Sequence, residues 1–152
     1  MQVLVQRVLE ASCVIDTETT ASIDAGFLLY VSFHKTDSPD LISKMAKKVT
    51  HLRIFEDEEG KMNRSLQDRE TPAVLSISQF TLEADTRKGH RPSFTQALEP
   101  ERAEMYFTRF NDALREAGVR VEDGRFGAHM RIVSVNDGPV TIRLTMASDG
   151  TD

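Results

Sequence analysis

Apolar and polar positions alternate along this chain in two rhythms, one of period two and one of period 3.6. QVLVQRV at 2–8 alternates enough to predict a strand. AGFLLYVSF at 25–33 is a continuous apolar run between Gly26 and the polar HKTDSP, which predicts a strand buried on both faces. The stretch between them, IDTETTASID, is polar and threonine-rich and predicts an edge strand or a hairpin connection.

Helical spacing begins after Ser38-Pro39, where a hydroxyl can cap the first N–H groups and proline suits the first turn. Leu41, Met45, Val49 and Leu52 then form one apolar stripe, with Lys44, Lys47 and Lys48 facing water. EDEEGKMN reads as a turn. A second helix has Pro100 near its start, Ala103, Phe107, Phe110, Leu114 and Ala117 on one face, and Gly118 where a left-handed cap belongs.

Three further strands are predicted, AVLSISQFTL, HMRIVSV and VTIRLTM; in the last, Val140, Ile142, Leu144 and Met146 alternate with polar residues. The order strand, strand, helix, strand, helix, strand, strand breaks the alternation of a doubly wound sheet. It predicts a mixed-sheet α/β sandwich with two main helices packed on strands. No repeat, low-complexity tract or Gly/Ser-rich linker divides the chain, so residues 1–147 are expected to form a single domain with a polar tail at 148–152.

Composition narrows the function classes. With 152 residues, 39% hydrophobic and 28% charged, the chain has the balance of one soluble domain. The single cysteine, Cys13, excludes an intramolecular disulfide, and the opening MQVLVQRV carries no apolar signal segment; both favour a reducing, cytoplasmic setting. No apolar run approaches the roughly 18 residues of a membrane helix, so no membrane partner is expected. A formal net charge of −5 argues against broad coating of nucleic acid but leaves room for a local contact. The basic clusters Lys44, Lys47, Lys48, His51, Arg53 and Arg87, Lys88, His90, Arg91 read first as solvated faces.

Much familiar chemistry is missing. The four histidines are scattered without HExxH or HxxEH spacing and one cysteine builds no zinc cluster, so no metal is expected. GxGxxG, P-loop and GxSxG patterns are absent, and no cofactor is expected. The acidic run Glu56–Glu59 adjoins Gly60 and reads as a solvated turn, while Asp85 beside Arg87 reads as an ion-paired loop residue. Two segments remain. In SQFTL, strand alternation would send Ser78, Phe80 and Leu82 one way and Gln79 and Thr81 the other, with no His or Lys nearby to activate a hydroxyl. In NDGPVT at 136–141, Asn-Asp-Gly-Pro reads as a hairpin turn between the last two strands.

Taken together, QRV at 6–8, LRIFEDEEGKMN at 52–63, SQFTL at 78–82, ADTRKGHRPSF at 84–94, FGAHM at 126–130 and NDGPVT at 136–141 resemble the D-aminoacyl-tRNA deacylases of the bacterial and eukaryotic type. The likeness spans nearly the whole chain. It departs from the family's pattern at DTETTASIDAG, where relatives carry a glycine-rich hairpin, at LLYVSF, and at EDGR before FGA.

The resemblance implies a homodimeric hydrolase of the ester joining a D-amino acid, or glycine, to the acceptor end of tRNA, sparing L-aminoacyl-tRNA. It implies a cis Gly138-Pro139 inserted across the subunit boundary as a chiral gate, with Asn136, Val140 and Thr141 completing that motif. Backbone N–H groups around Phe80 and Thr81 would stabilise the oxyanion, and Ser78 and Gln79 would position the ester and terminal adenosine. Arg7 would hold the Gly-Pro loop, and Phe126 and Met130 would line the adenosine side. For attack, one reading makes Thr81 a covalent nucleophile and another has the terminal 2′-hydroxyl of tRNA assist a water. The lack of a base near Thr81 in sequence favours the second. A catalytically silent module gripping a tRNA 3′ end, and a hydrolase of small D-amino-acid esters or amides, are the competing readings.

Overall fold

A long first strand organises the molecule. In the computed structural model, which describes residues 1–148, β1 (Gln2–Ile15) outruns the seven residues predicted for it. Over residues 2–8 it pairs antiparallel with β3 (Gly26–Ser32) on one edge and with β8 (Arg131–Thr145) on the other. Over residues 11–15 it turns back through Asp16, at φ 55°, into β2 (Glu18–Ile23).

β3 then pairs parallel with β6 (Ala73–Ser78), and β6 parallel with β7 (Arg120–Asp123). Parallel neighbours need a crossover, and the two crossovers carry the two helices: α1 (Asp40–Thr50) between β3 and β6, and α2 (Pro100–Glu116) between β6 and β7. The result is the mixed α/β sheet with two packed helices expected from the pattern. Among the described residues no helix is long and apolar enough to cross a membrane. Of the tail expected at 148–152, all but Ser148 lies outside the described residues.

Both faces of the sheet are covered, which explains the unbroken apolar run of β3. Phe27, Leu29 and Val31 join Met45 and Val49 of α1 and Tyr106, Phe107, Phe110 and Leu114 of α2 in one core. Leu28 turns the other way, toward Val8, Ala11, Cys13, Ile23, Leu75 and Ile77. Burying side chains of this size stabilises by about 1.5–3 kcal/mol each. Gly118, at φ 85°, closes α2 as expected.

Several local expectations give way to tertiary context. Ser38 does not cap α1: the cap residue is Pro39, without a side-chain bond, and at the helix start the Ser38 carbonyl accepts from Leu41 N–H at 3.2 Å while its hydroxyl turns to the Asp40 carboxylate at 3.5 Å. EDEEGKMN does turn, but inside a small hairpin of β4 (Phe55–Glu56) and β5 (Met62–Arg64). β7 has too few apolar residues to be read as a strand; its pairing with β6 creates it. HMRIVSV and VTIRLTM are not two strands joined by a hairpin but one, because β1 offers a single long template to both.

Candidate active site

The parallel strands β3, β6 and β7 end side by side, and the chain segments leaving them enclose a cavity of about 610 Å³. Such a crevice beyond the carboxyl ends of parallel strands is where α/β sheets ordinarily bind ligands. Ser32 closes β3 and Phe33 follows it; Ser78 closes β6 and Gln79 and Phe80 follow it; Phe126, His129 and Met130 follow β7. Apart from Glu99 and His129, the residues around the cavity are uncharged. Phe80, 58% exposed, meets Phe94 edge-on at 5.1 Å, and Phe126 leans on Phe107 at 6.4 Å. Met130 packs over Gly124, where an added Cβ would fall 2.5 Å from its sulfur.

SQFTL is not strand throughout. β6 stops at Ser78, Gln79 leaves the sheet, and residues Phe80–Glu83 wind into one 3-10 turn. The turn is pinned where it begins by Gln79 N–H donating to the Val31 carbonyl at 2.7 Å. Its first bond back is Leu82 N–H to the Gln79 carbonyl at 3.2 Å, so the N–H groups of Phe80 and Thr81 precede any carbonyl the turn could offer them. The Thr81 hydroxyl accepts from the Gln79 side-chain amide, which is no base. Thr81 itself is exposed and does not line the cavity.

Arg7, Asn136, Gly138, Pro139, Val140 and Thr141 form a second group, away from that cavity on the same chain. The β1–β8 register passes from Gln6↔Thr141 to Val8↔Asn136, so Asp137, Gly138, Pro139 and Val140 loop out opposite Arg7 alone. Asn136 closes the loop: its Oδ1 accepts from Val140 N–H at 2.8 Å, and its Nδ2 donates to Thr141 Oγ1 at 3.2 Å. Arg7 is buried beneath, donating from Nε to the Asp137 carbonyl at 3.0 Å and from Nη1 to the Ile54 carbonyl at 2.7 Å. Gly138, at φ 135°, leaves no room for a side chain, since an added Cβ would lie 2.7 Å from Val140 Cγ2 and 3.3 Å from Arg7 Nη2. The Gly138-Pro139 peptide bond is cis.

The basic loop after the 3-10 turn is partly self-neutralised. Arg87 donates to both carboxylate oxygens of Asp85, at 2.9 and 2.6 Å, and those bonds hold the Asp85 carboxyl down to about 2. Lys88, His90 and Arg91 have no such partner among the described residues.

Sequence reasoning found Ser78, Gln79, Phe80, Phe126 and Met130, which the fold brings into one cavity. It missed Ser32, Phe94 and His129 in the same wall, and Glu83 behind it. Only the tertiary fold brings these segments together beside the parallel strand ends, which no periodicity reveals.

Comparison with known proteins agrees with this architecture. A family model described as D-Tyr-tRNA(Tyr) deacylase matches residues 4–145. Proteins named D-aminoacyl-tRNA deacylase are 50% identical in Exiguobacterium sp. over 144 residues, 95% of this chain and 97% of the relative, and 51% identical in Listeria monocytogenes, covering 95% of each. A solved structure named c-Myc DNA Unwinding Element Binding Protein superposes with a TM-score of 0.90 at 36% identity, covering 97% of this chain and 100% of that one. A solved structure described as "a probable eukaryotic D-amino acid tRNA deacylase" shares the fold, with a TM-score of 0.82 at 18% identity, covering 94% of this chain and 97% of that one. Matched along almost its whole length by a family model and by relatives at half identity, the chain belongs to the D-aminoacyl-tRNA deacylase family.

Proposed function

We propose that this protein is a homodimeric proofreading hydrolase that cleaves the ester of D-aminoacyl-tRNA, and of glycyl-tRNA, while sparing L-aminoacyl-tRNA. The observation that carries the reading is the pairing of a mostly uncharged cavity with a Gly-Pro loop that does not line it on the same chain. The loop stands on β8, which among the described residues pairs only with β1; Leu9 of β1 and Val133 and Val135 of β8 are exposed at 54, 59 and 44%. An apolar strand edge left open in this way favours pairing with a second copy. A partner's Gly138-Pro139 then closes the cavity, and a backbone wall reads configuration at the α-carbon while ignoring the side chain beyond it.

Chemistry proceeds by electrostatic stabilisation. As water adds to the ester carbonyl, negative charge builds on its oxygen, and the N–H groups of Phe80 and Thr81 serve as donors; one such donor contributes about 10²–10³ in rate. Ser78 and Gln79 position the ester, and Phe80, Phe126 and Met130 hold the terminal adenosine by stacking and apolar contact. The Thr81 hydroxyl is bonded to an amide and has no base, which favours assistance by the tRNA's own 2′-hydroxyl over a Thr81 nucleophile. The acceptor end needs few phosphate contacts, for which Lys88 and Arg91 are available, and an enzyme acting on aminoacyl-tRNA works in the cytoplasm.

Matched D-tyrosyl-, L-tyrosyl- and glycyl-tRNA at sub-stoichiometric enzyme test the reading. Loss of the D and glycyl esters with the L ester spared is expected. Binding of tRNA without cleavage would instead identify a silent module. A D-ester on tRNA ending in 2′-deoxyadenosine should resist hydrolysis; its normal turnover would restore Thr81 as nucleophile.

A further inference from the structure

Between Gln79 and Ala97 a single side chain is buried, and it is a carboxylate: Glu83, 8% exposed. It ends the 3-10 turn that presents Phe80 and Thr81, both exposed. One oxygen, Oε1, accepts from Ser32 Oγ at 2.5 Å and from Gln2 Nε2 at 3.1 Å. The same Gln2 amide reaches the Leu82 carbonyl at 3.3 Å. Ser32 closes β3 and borders the cavity, and Gln2 opens β1, so the far end of the turn is tied to two strands of the sheet while Gln79 ties the near end to Val31.

A buried carboxylate is a costly anchor. Among the described residues its hydrogen-bond partners are the Ser32 hydroxyl and the Gln2 amide and no cation, and a polar group taken from water is tolerated only when hydrogen bonds replace its hydration. An apolar side chain would bury at less cost but would hold the turn by contact alone, free to slide. Two directional bonds to one oxygen fix its position instead. Displacement of the turn by about 1 Å is enough to cost on the order of 10²-fold in rate when the groups it carries act on a transition state.

We infer that Glu83 is a positioning residue of this site: through Ser32 and Gln2 it fixes the 3-10 turn so that the Phe80 and Thr81 N–H groups meet the developing oxyanion. The inference rests on the deacylase reading above. Glu83 touches no substrate, and its effect belongs in kcat, where transition-state alignment is felt, and not in KM.

The test compares full-length wild type, Glu83→Ala, Glu83→Gln and Ser32→Ala in steady-state deacylation of D-tyrosyl-tRNA, with urea unfolding alongside to correct for folded fraction. Glu83→Ala should lower kcat by about 10- to 100-fold with KM within about twofold. Glu83→Gln keeps an oxygen that can accept from both donors and should recover most of that loss. Ser32→Ala removes one of the two bonds and should lower kcat by about fivefold, and combining it with Glu83→Ala should add little, since both cut the same tie. Unchanged kcat in Glu83→Ala, a loss residing in KM, or a Glu83→Gln enzyme as poor as Glu83→Ala would each overturn the assignment. If Glu83→Ala does not fold, Ser32→Ala decides: wild-type kcat there overturns it as well. A wild-type enzyme inert on the D ester would remove the deacylase reading itself, a result distinct from any of these.

Discussion

Arg7 ties the Gly-Pro loop to the rest of the fold, and its replacement gives the sharpest test of how that loop is held. Arg7 is 6% exposed, and its guanidinium bonds two backbone carbonyls on different segments, Asp137 at 3.0 Å and Ile54 at 2.7 Å. Its ion pairs are weaker terms: Asp137 and Glu56 lie at 3.5 and 3.9 Å with carboxylates 47 and 60% exposed, where solvent leaves little net energy. Hydrogen bonds from a charged donor contribute about 1.5–3 kcal/mol each, so Arg7→Met, which removes both and strands two carbonyls, should cost about 3–5 kcal/mol. Against a total of about 5–15 kcal/mol that is a large share of the stability, and Tm should fall by about 6–20 °C for a chain of this size. Arg7→Lys keeps the charge but places one ammonium where a fork spanned two carbonyls, and should lose about half as much. Calorimetry reads the stability, and the ratio of D- to L-tyrosyl-tRNA hydrolysis reads the loop. Both variants should narrow that ratio. An Arg7→Lys protein with wild-type Tm and wild-type discrimination would refute the idea that the two-carbonyl fork sets the loop.

Three further outcomes follow from the geometry. Gly138→Ala forces a side chain into φ 135° and against Val140, and should cost about 1–3 kcal/mol by chemical denaturation while loosening discrimination against the L ester. Gly26→Ala puts a methyl 2.1 Å from the Ala73 carbonyl, between β3 and the start of β6, and should destabilise the fold by at least about 2 kcal/mol with no selective effect on chirality. The Asp85 carboxyl, held down by the Arg87 side chain, should titrate at about 2 by NMR and return toward the ordinary carboxylate range in Arg87→Ala. Because its folded value is depressed, whatever the pair contributes is present above the unfolded carboxylate range and disappears as pH falls toward 2.

The sequence by itself determined the class of fold and the family. Helical stripes at 41–52 and 103–117, the doubly apolar run at 25–33 and the collinear SQFTL and NDGPVT motifs are local signals, and local chemistry writes them directly: spacing decides which side chains share a face, and glycine or proline decides where a turn can stand. Tertiary structure decided the rest. Whether NDGP turns a hairpin or loops out of one strand depends on a partner more than a hundred residues away, since β1 pairs with both halves of β8 and leaves four residues facing Arg7. Whether Thr81 continues a strand or winds into a 3-10 turn depends on Val31, Ser32 and Gln2, whose bonds seize the chain as it leaves β6. The cavity exists because β3, β6 and β7 run parallel, a pairing set by two helical crossovers packing on one face. No residue in any of those strands carries that information alone, because hydrogen bonds and burial between distant segments are properties of the pairing and not of either partner.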